Sequence, residues 1–148
     1  MTQSVKDSFG LIWPRHVQNL TRLLISCREA FDGDLDLFLM LAVIGDRSFS
    51  ARNVDPALTF ETWQAHDKPL VTPEDINIRS IAHYSGIPRE TVRRKLAILI
   101  DKGWVTRDQN NVLTATVKAR NDLEPLTRES IRYLEEMFDL LGEFRKDG

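Results

Sequence analysis

The sequence predicts a mainly α protein with one small two-stranded β unit, on three observations. Stretches near both ends and in the middle repeat apolar residues at spacings of three and four, the period of a helix. The run from Ile78 to Thr116 reads as helix, tight turn, helix, and then two short segments rich in β-formers. At 148 residues, 42 % of them hydrophobic, the chain is long enough to bury a core as one domain, or as one domain with helical extensions.

Taken in order, Trp13-Pro14 opens a helix that runs to about Phe31. Val17, Leu20, Leu24 and Cys27 fall on one side, with Leu23 and Ile25 broadening the face, and Gly33 ends the helix. Asp34 is placed to cap a second helix from Leu35 to about Arg47, whose Leu37, Phe38, Leu41 and Ile44 predict burial on most sides. Pro56, Pro69 and Pro73 interrupt residues 48–72, and Leu58 to Trp63 reads as a short helix or an irregular arm. Thr72-Pro73-Glu74-Asp75 has the composition of a capped helix start.

The helix that follows holds Ile78, Ile81 and Ala82 on one face. Gly86 stands where the chain must reverse, a position that favours a residue tolerating positive φ. The next helix, residues 88–101, buries Val92, Leu96 and Leu99, and Gly103 ends it. Trp104 to Arg107 and Val112 to Thr116 are predicted strands, joined by the turn-forming run Asp108-Gln109-Asn110-Asn111. A final helix from Leu126 to Phe144 carries Ile131, Leu134, Phe138 and Leu141 as a seam, widened by Met137, Leu140 and Phe144. The expected organisation is an N-terminal helical region 1–72, a central domain 73–120 and a C-terminal helix 121–148, in one compact unit overall.

The central segment resembles the winged helix-turn-helix domain of bacterial transcriptional regulators, especially the GntR-like and MarR-like groups. The matching residues are Ser80-Ile81-Ala82, Gly86-Ile87, Thr91-Val92-Arg93, Leu96 and Lys102-Gly103-Trp104-Val105, and they cover about 40 residues. Ser85 departs from the pattern, standing where the family buries an aliphatic side chain. Pro88 departs too, replacing the usual serine cap. With Ile87 as the cap, Pro88 becomes the first helical residue and Glu90 reaches back to the helix start. The resemblance implies a winged helix-turn-helix flanked by N- and C-terminal helices, a recognition helix over 88–101 and a wing over 104–116.

Net charge is −2, but its distribution is uneven. Residues 78–120 hold 9 basic and 3 acidic residues, net +6, whereas residues 1–77 and 121–148 are each net −4. A concentrated basic face matters more for attracting phosphates than total charge. Opposite the apolar stripe of the 88–101 helix lies Arg94, with Glu90 and Ala97 beside it and Arg89 and Arg93 flanking. Arg93 and Arg94 are the candidate base readers and Glu90 a candidate acceptor from cytosine. Thr91 and Lys95 are expected at phosphates, and Arg79 and Ser80 suit backbone positioning. Arg107, Asn110 and Asn111 place donors near an adjacent minor groove.

These readings predict a homodimer on double-stranded DNA, with Ile131, Leu134, Phe138 and Leu141 at the dimer interface, shared with the N-terminal helices. The alternative is a winged-helix protein-interaction or ligand-sensing module without DNA readout, in which Trp13, Phe60 and Trp63 line an effector pocket. An enzyme is the least supported reading. His16, His66 and His83 lack metal-ligand spacing, no phosphate loop or nucleophile elbow is present, and Cys27 lies in an apolar stripe. No metal or cofactor is expected. The lone cysteine fits a reducing cytoplasm, Met1 to Gly10 lacks an apolar leader, and the run Leu37 to Ile44 is too short to span a bilayer.

Overall fold

A computed structural model describes residues 4–49, 54–67 and 76–146. The chain divides into two compact units. One combines the residues up to Gly33 with those from Glu124 onward, and the other is Asp34–Leu123. The first boundary between these units falls after Gly33. The cause is the helix that begins at Leu35, whose apolar side packs on the central elements and draws residues 34–49 into their unit.

The first unit is a helical hairpin. A 3₁₀ turn, Val5–Ser8, leads into α1, Phe9–Ala30, which packs against α7, Glu124–Lys146. The helices run antiparallel: His16 Nδ1 lies 2.6 Å from the Tyr133 hydroxyl, whereas Arg22, further along α1, lies 3.6 Å from Glu129, earlier on α7. α1 starts four residues before the expected Trp13, with Pro14 inside it. So near the helix start proline deletes one backbone hydrogen bond, and Phe9 stacked on Trp13 at 5.2 Å covers that turn. Ile12, Cys27 and Leu140 are buried. Val17 and Leu24, expected on the same side of the helix as Cys27, are 44 % and 43 % exposed. They sit roughly 100° round the helix from Ile12 and Cys27, so one neighbouring helix cannot cover both sets.

The second unit is built on α2, Leu35–Ser48. The Asp34 carboxylate accepts from the amides of Asp36 and Leu37, the expected cap. Leu37, Met40, Leu41 and Ile44 are buried and Phe38 is half-buried. α3, Phe60–Ala65, settles the Leu58–Trp63 segment as a helix capped by Thr59. The Arg120 guanidinium donates to the Trp63 and Gln64 carbonyls at 2.8 and 3.2 Å, closing the C-terminal end of α3. The expected start at Thr72 to Asp75 lies outside the described residues. α4, Ile78–Ser85, is capped by Asn77, whose side chain accepts from the Ser80 amide.

Gly86 then adopts φ 75°, and its amide donates to the Ala82 carbonyl, so the chain reverses where expected. The Ser85 hydroxyl donates to the Ile81 carbonyl at 2.6 Å and accepts from the Ile87 amide at 3.1 Å. Serine at this position stitches the turn together, a role an aliphatic side chain cannot fill. α5, Arg89–Asp101, begins one residue later than expected, with Pro88 as its cap residue in an extended conformation. Glu90 does not reach back to the helix start; it pairs with Arg93 at 2.8 Å. Val92, Leu96 and Leu99 are buried, and α2 packs on α4, α5 and β2.

Gly103, at φ 75°, ends the α5 turn. Strands β1, Val105–Arg107, and β2, Leu113–Ala115, pair antiparallel with Thr106 opposite Thr114. Trp104 stays outside the strand because its amide donates back to Leu99, while its indole N–H donates to Asp122 at 2.9 Å. The Leu113 amide donates to the Ile76 carbonyl, tying β2 to the segment before α4. An unexpected short helix, α6, Val117–Asp122, follows, its first turn capped by the Thr116 hydroxyl.

Gly86→Ala meets no atom within 4 Å of the added methyl, so its cost is the left-handed backbone alone. It is expected to destabilise the chain by about 1–2 kcal/mol, read as a lower urea midpoint at unchanged m-value.

Candidate nucleic-acid interface

The α4–turn–α5 pairing decides which side of α5 faces outward. With Val92, Leu96 and Leu99 buried, helical geometry turns Glu90, Arg94, Ala97 and Ile98 to the opposite side, and all four are exposed. Arg89 and Arg93 are exposed on one flank. Thr91 is half-buried, and Glu90, Thr91, Arg93 and Arg94 line an open surface notch. The Glu90 carboxylate holds the Arg93 guanidinium, whose pKa the hydrogen bond raises further. Glu90 thus restrains Arg93, with Arg94 exposed beside it. Ile98 joins this exposed face, a residue the sequence pattern did not single out. Its exposed position next to Thr91 and Arg94 on the helical wheel was the available clue.

α4 brings Arg79, exposed, and Ser80, half-buried, to the same unit. The Ser80 hydroxyl is already engaged, lying 3.2 Å from the Asn77 side-chain oxygen that also caps the helix. Tyr84 is exposed on α4, with the Arg47 guanidinium 4.3 Å above its ring and His83 edge-on at 5.5 Å. Arg47 comes from α2, so counting charge along the sequence placed it outside the basic segment. The β-hairpin places Arg107 at the end of β1, and Asn110 and Asn111 in the exposed turn. Asp108 shapes that turn by accepting from the amides of Asn110 and Val112 at 2.8 and 2.9 Å, with Asn111 at φ 61°.

Lys95 is ion-paired within its own unit. Expected at a phosphate, it is only 15 % exposed, with its ammonium 2.7 and 2.8 Å from the two Asp34 oxygens and 3.2 Å from Asp36. Two carboxylates already neutralise it, which removes the reason for a phosphate to seek it. Its pKa is raised, chiefly by the Asp34 hydrogen bond. Burial lifts the Asp34 carboxyl, but the hydrogen bonds from Lys95 and Leu37 outweigh it and hold that group below its ordinary value.

In the hairpin unit, the seam residues take two positions. Ile131 and Leu141 are half-buried, whereas Leu134 and Phe138 are 62 % and 78 % exposed. Met137 is half-buried and Leu140 buried on the side towards α1, and the Phe144 side chain lies outside the described residues. Among the described residues no cluster of His, Cys, Asp or Glu is arranged to hold a metal. No described helix is long and apolar enough to cross a membrane. Cys27 is buried, and that burial pushes its thiol pKa up, away from nucleophilic reactivity. No protein-family model, curated protein or solved structure matches this chain.

The Lys95 pair has a defined pH window. A depressed carboxyl stabilises above its ordinary value of 3.8 and loses that contribution as pH falls through the folded-state value. A raised ammonium stabilises below its ordinary value of 10.5 and loses it as pH rises further. Asp34→Asn is therefore expected to cost about 0.5–1 kcal/mol at neutral pH. That difference from wild type should begin to shrink as pH falls below 3.8 and vanish only below the depressed folded-state value, as urea titrations across pH will read out.

Proposed function

We propose that the chain is a sequence-specific DNA-binding regulator of transcription that acts in the cytoplasm as a homodimer. The observation that carries this reading is the outward face of α5. Arg94 stands exposed opposite Val92, Leu96 and Leu99, with Arg89 and Arg93 exposed on one flank, within a segment of net charge +6. The order α4, tight turn, α5, β-hairpin supports a winged helix-turn-helix, with α5 entering the major groove and the hairpin beside the adjacent minor groove. Arg94 is the leading base reader, suited to two hydrogen bonds with guanine, and Ile98 would meet a thymine methyl. Arg79, Arg89 and Thr91 contact phosphate, and Arg107, Asn110 and Asn111 approach the minor groove. A protein-interaction or ligand-sensing module without DNA readout would not need this arginine face.

The hairpin unit supports the homodimer. The Arg22–Glu129 pair and the charged groove of Arg15, Glu136 and Glu143 mark one side of the α1–α7 pair. Helical geometry places Trp13, Val17 and Leu24 of α1, with Ile131, Leu134, Phe138 and Leu141 of α7, on the opposite side. This side is apolar along both helices and suits a second copy presenting the same stripe about a two-fold axis.

DNA affinity is expected to fall steeply with salt, as several cations displace condensed counterions. Arg94→Ala should cost about 1–3 kcal/mol and relax preference at one base-pair position. Fluorescence anisotropy on genomic duplexes at several salt concentrations measures both; no binding at low salt would favour the interaction module.

Leu134→Asp combined with Phe138→Asp puts four like charges into each two-fold seam. Light scattering should then find a monomer, with the wild type a dimer at micromolar concentration. A wild-type monomer would contradict the assembly.

A further inference from the structure

Burial of Val92, Leu96 and Leu99 selects the face of α5 that turns inward, although the hydrophobic effect itself carries no direction. A base reader tolerates little rotation about the helix axis, because a bidentate contact has fixed geometry. A directional contact on the flank of α5 adds to that packing in setting the rotation of the helix. Lys95 sits on the flank of α5, between the buried stripe and the exposed arginine face. Its ammonium is forked between Asp34 and Asp36, at 2.7–3.2 Å. Asp34 accepts at the same time from the Asp36 and Leu37 amides that begin α2. One carboxylate thus starts α2 and anchors α5. α2 is itself fixed by the burial of Met40 and Ile44 and by packing on α4 and β2.

We propose that Lys95, Asp34 and Asp36 form a positioning latch that sets the rotation of α5 and so aims Arg93 and Arg94, without any of the three touching DNA. This inference rests on the DNA-binding reading and adds residues to it that carry the wrong charge for a contact role. Two carboxylates near a cationic face repel phosphate, so on electrostatics alone their neutralisation strengthens binding. The latch requires the opposite sign. Asparagine is as good a helix cap as aspartate, so Asp34→Asn keeps the start of α2 while removing the charge that holds Lys95.

The experiment compares wild type, Asp34→Asn, Lys95→Met and the double variant. Anisotropy is measured on a labelled duplex enriched by the wild-type chain, with circular dichroism confirming native helix content at the assay temperature. Urea unfolding of the same four proteins forms a double-mutant cycle. Asp34→Asn is expected to weaken binding about fivefold or more despite losing a negative charge. Lys95→Met should lose affinity similarly with its log-log salt slope unchanged, and the double variant should be no weaker than the worse single one. Tighter or unchanged binding by Asp34→Asn overturns the latch. So does a salt slope about one unit smaller in Lys95→Met, the mark of a lost phosphate contact. Additive losses in the unfolding cycle overturn it independently of DNA. If wild type binds no duplex at any salt, the DNA reading falls and the aiming role with it, even where the cycle shows the ion pairs coupled.

Discussion

The burial of α2 is the constraint on which the second unit depends. Met40 and Ile44 are fully buried, and the same helix packs on α4, α5 and β2. Leu37, Met40, Leu41 and Ile44 form one buried face about 100° wide, with Phe38 half-buried at its edge, and α4, α5 and β2 share that face. Truncating such a side chain would cost about 2–5 kcal/mol through lost transfer energy and an unfilled cavity. The turn at Gly86, the end of α5 at Gly103 and the β-hairpin are local devices that complete what this packing begins.

From that burial the outward surface follows. Because Val92, Leu96 and Leu99 turn inward, α5 shows Glu90, Arg94 and Ile98 to the outside, with Arg89 and Arg93 on its flank. The charges there are not equivalent. Arg94 is exposed, Arg93 is restrained by Glu90, and Lys95 is neutralised by two carboxylates. In the proposed function these differences assign the work: reading to the exposed Arg94 guanidinium, orientation to the neutralised Lys95 ammonium.

Local chemistry was legible in the sequence. The Asp34 cap, the positive φ at Gly86, the buried Val92–Leu96–Leu99 stripe and the Asp108–Asn111 turn each depend on residues within a few positions of one another. The departures arose where the deciding partner is distant. Lys95 read as a surface cation because Asp34 lies 61 positions away. Arg47 fell outside the basic segment although it stacks on Tyr84. Val17 and Leu24 shared helical spacing with Cys27, and periodicity alone cannot separate an apolar face one neighbour covers from one needing two. α6 was missed because Thr116, read as the end of a strand, is the cap of a helix.

The central claim is that the outward face of α5 reads base sequence. Selection of bound duplexes from a random pool, carried out at low and moderate salt, tests it most directly. The account predicts enrichment of one motif with two related half-sites about one helical turn apart. Raising the salt should weaken overall retention while leaving that motif unchanged, because base contacts persist where phosphate contacts are screened. Retention with no enriched motif at either salt, or no retention at all, would contradict it.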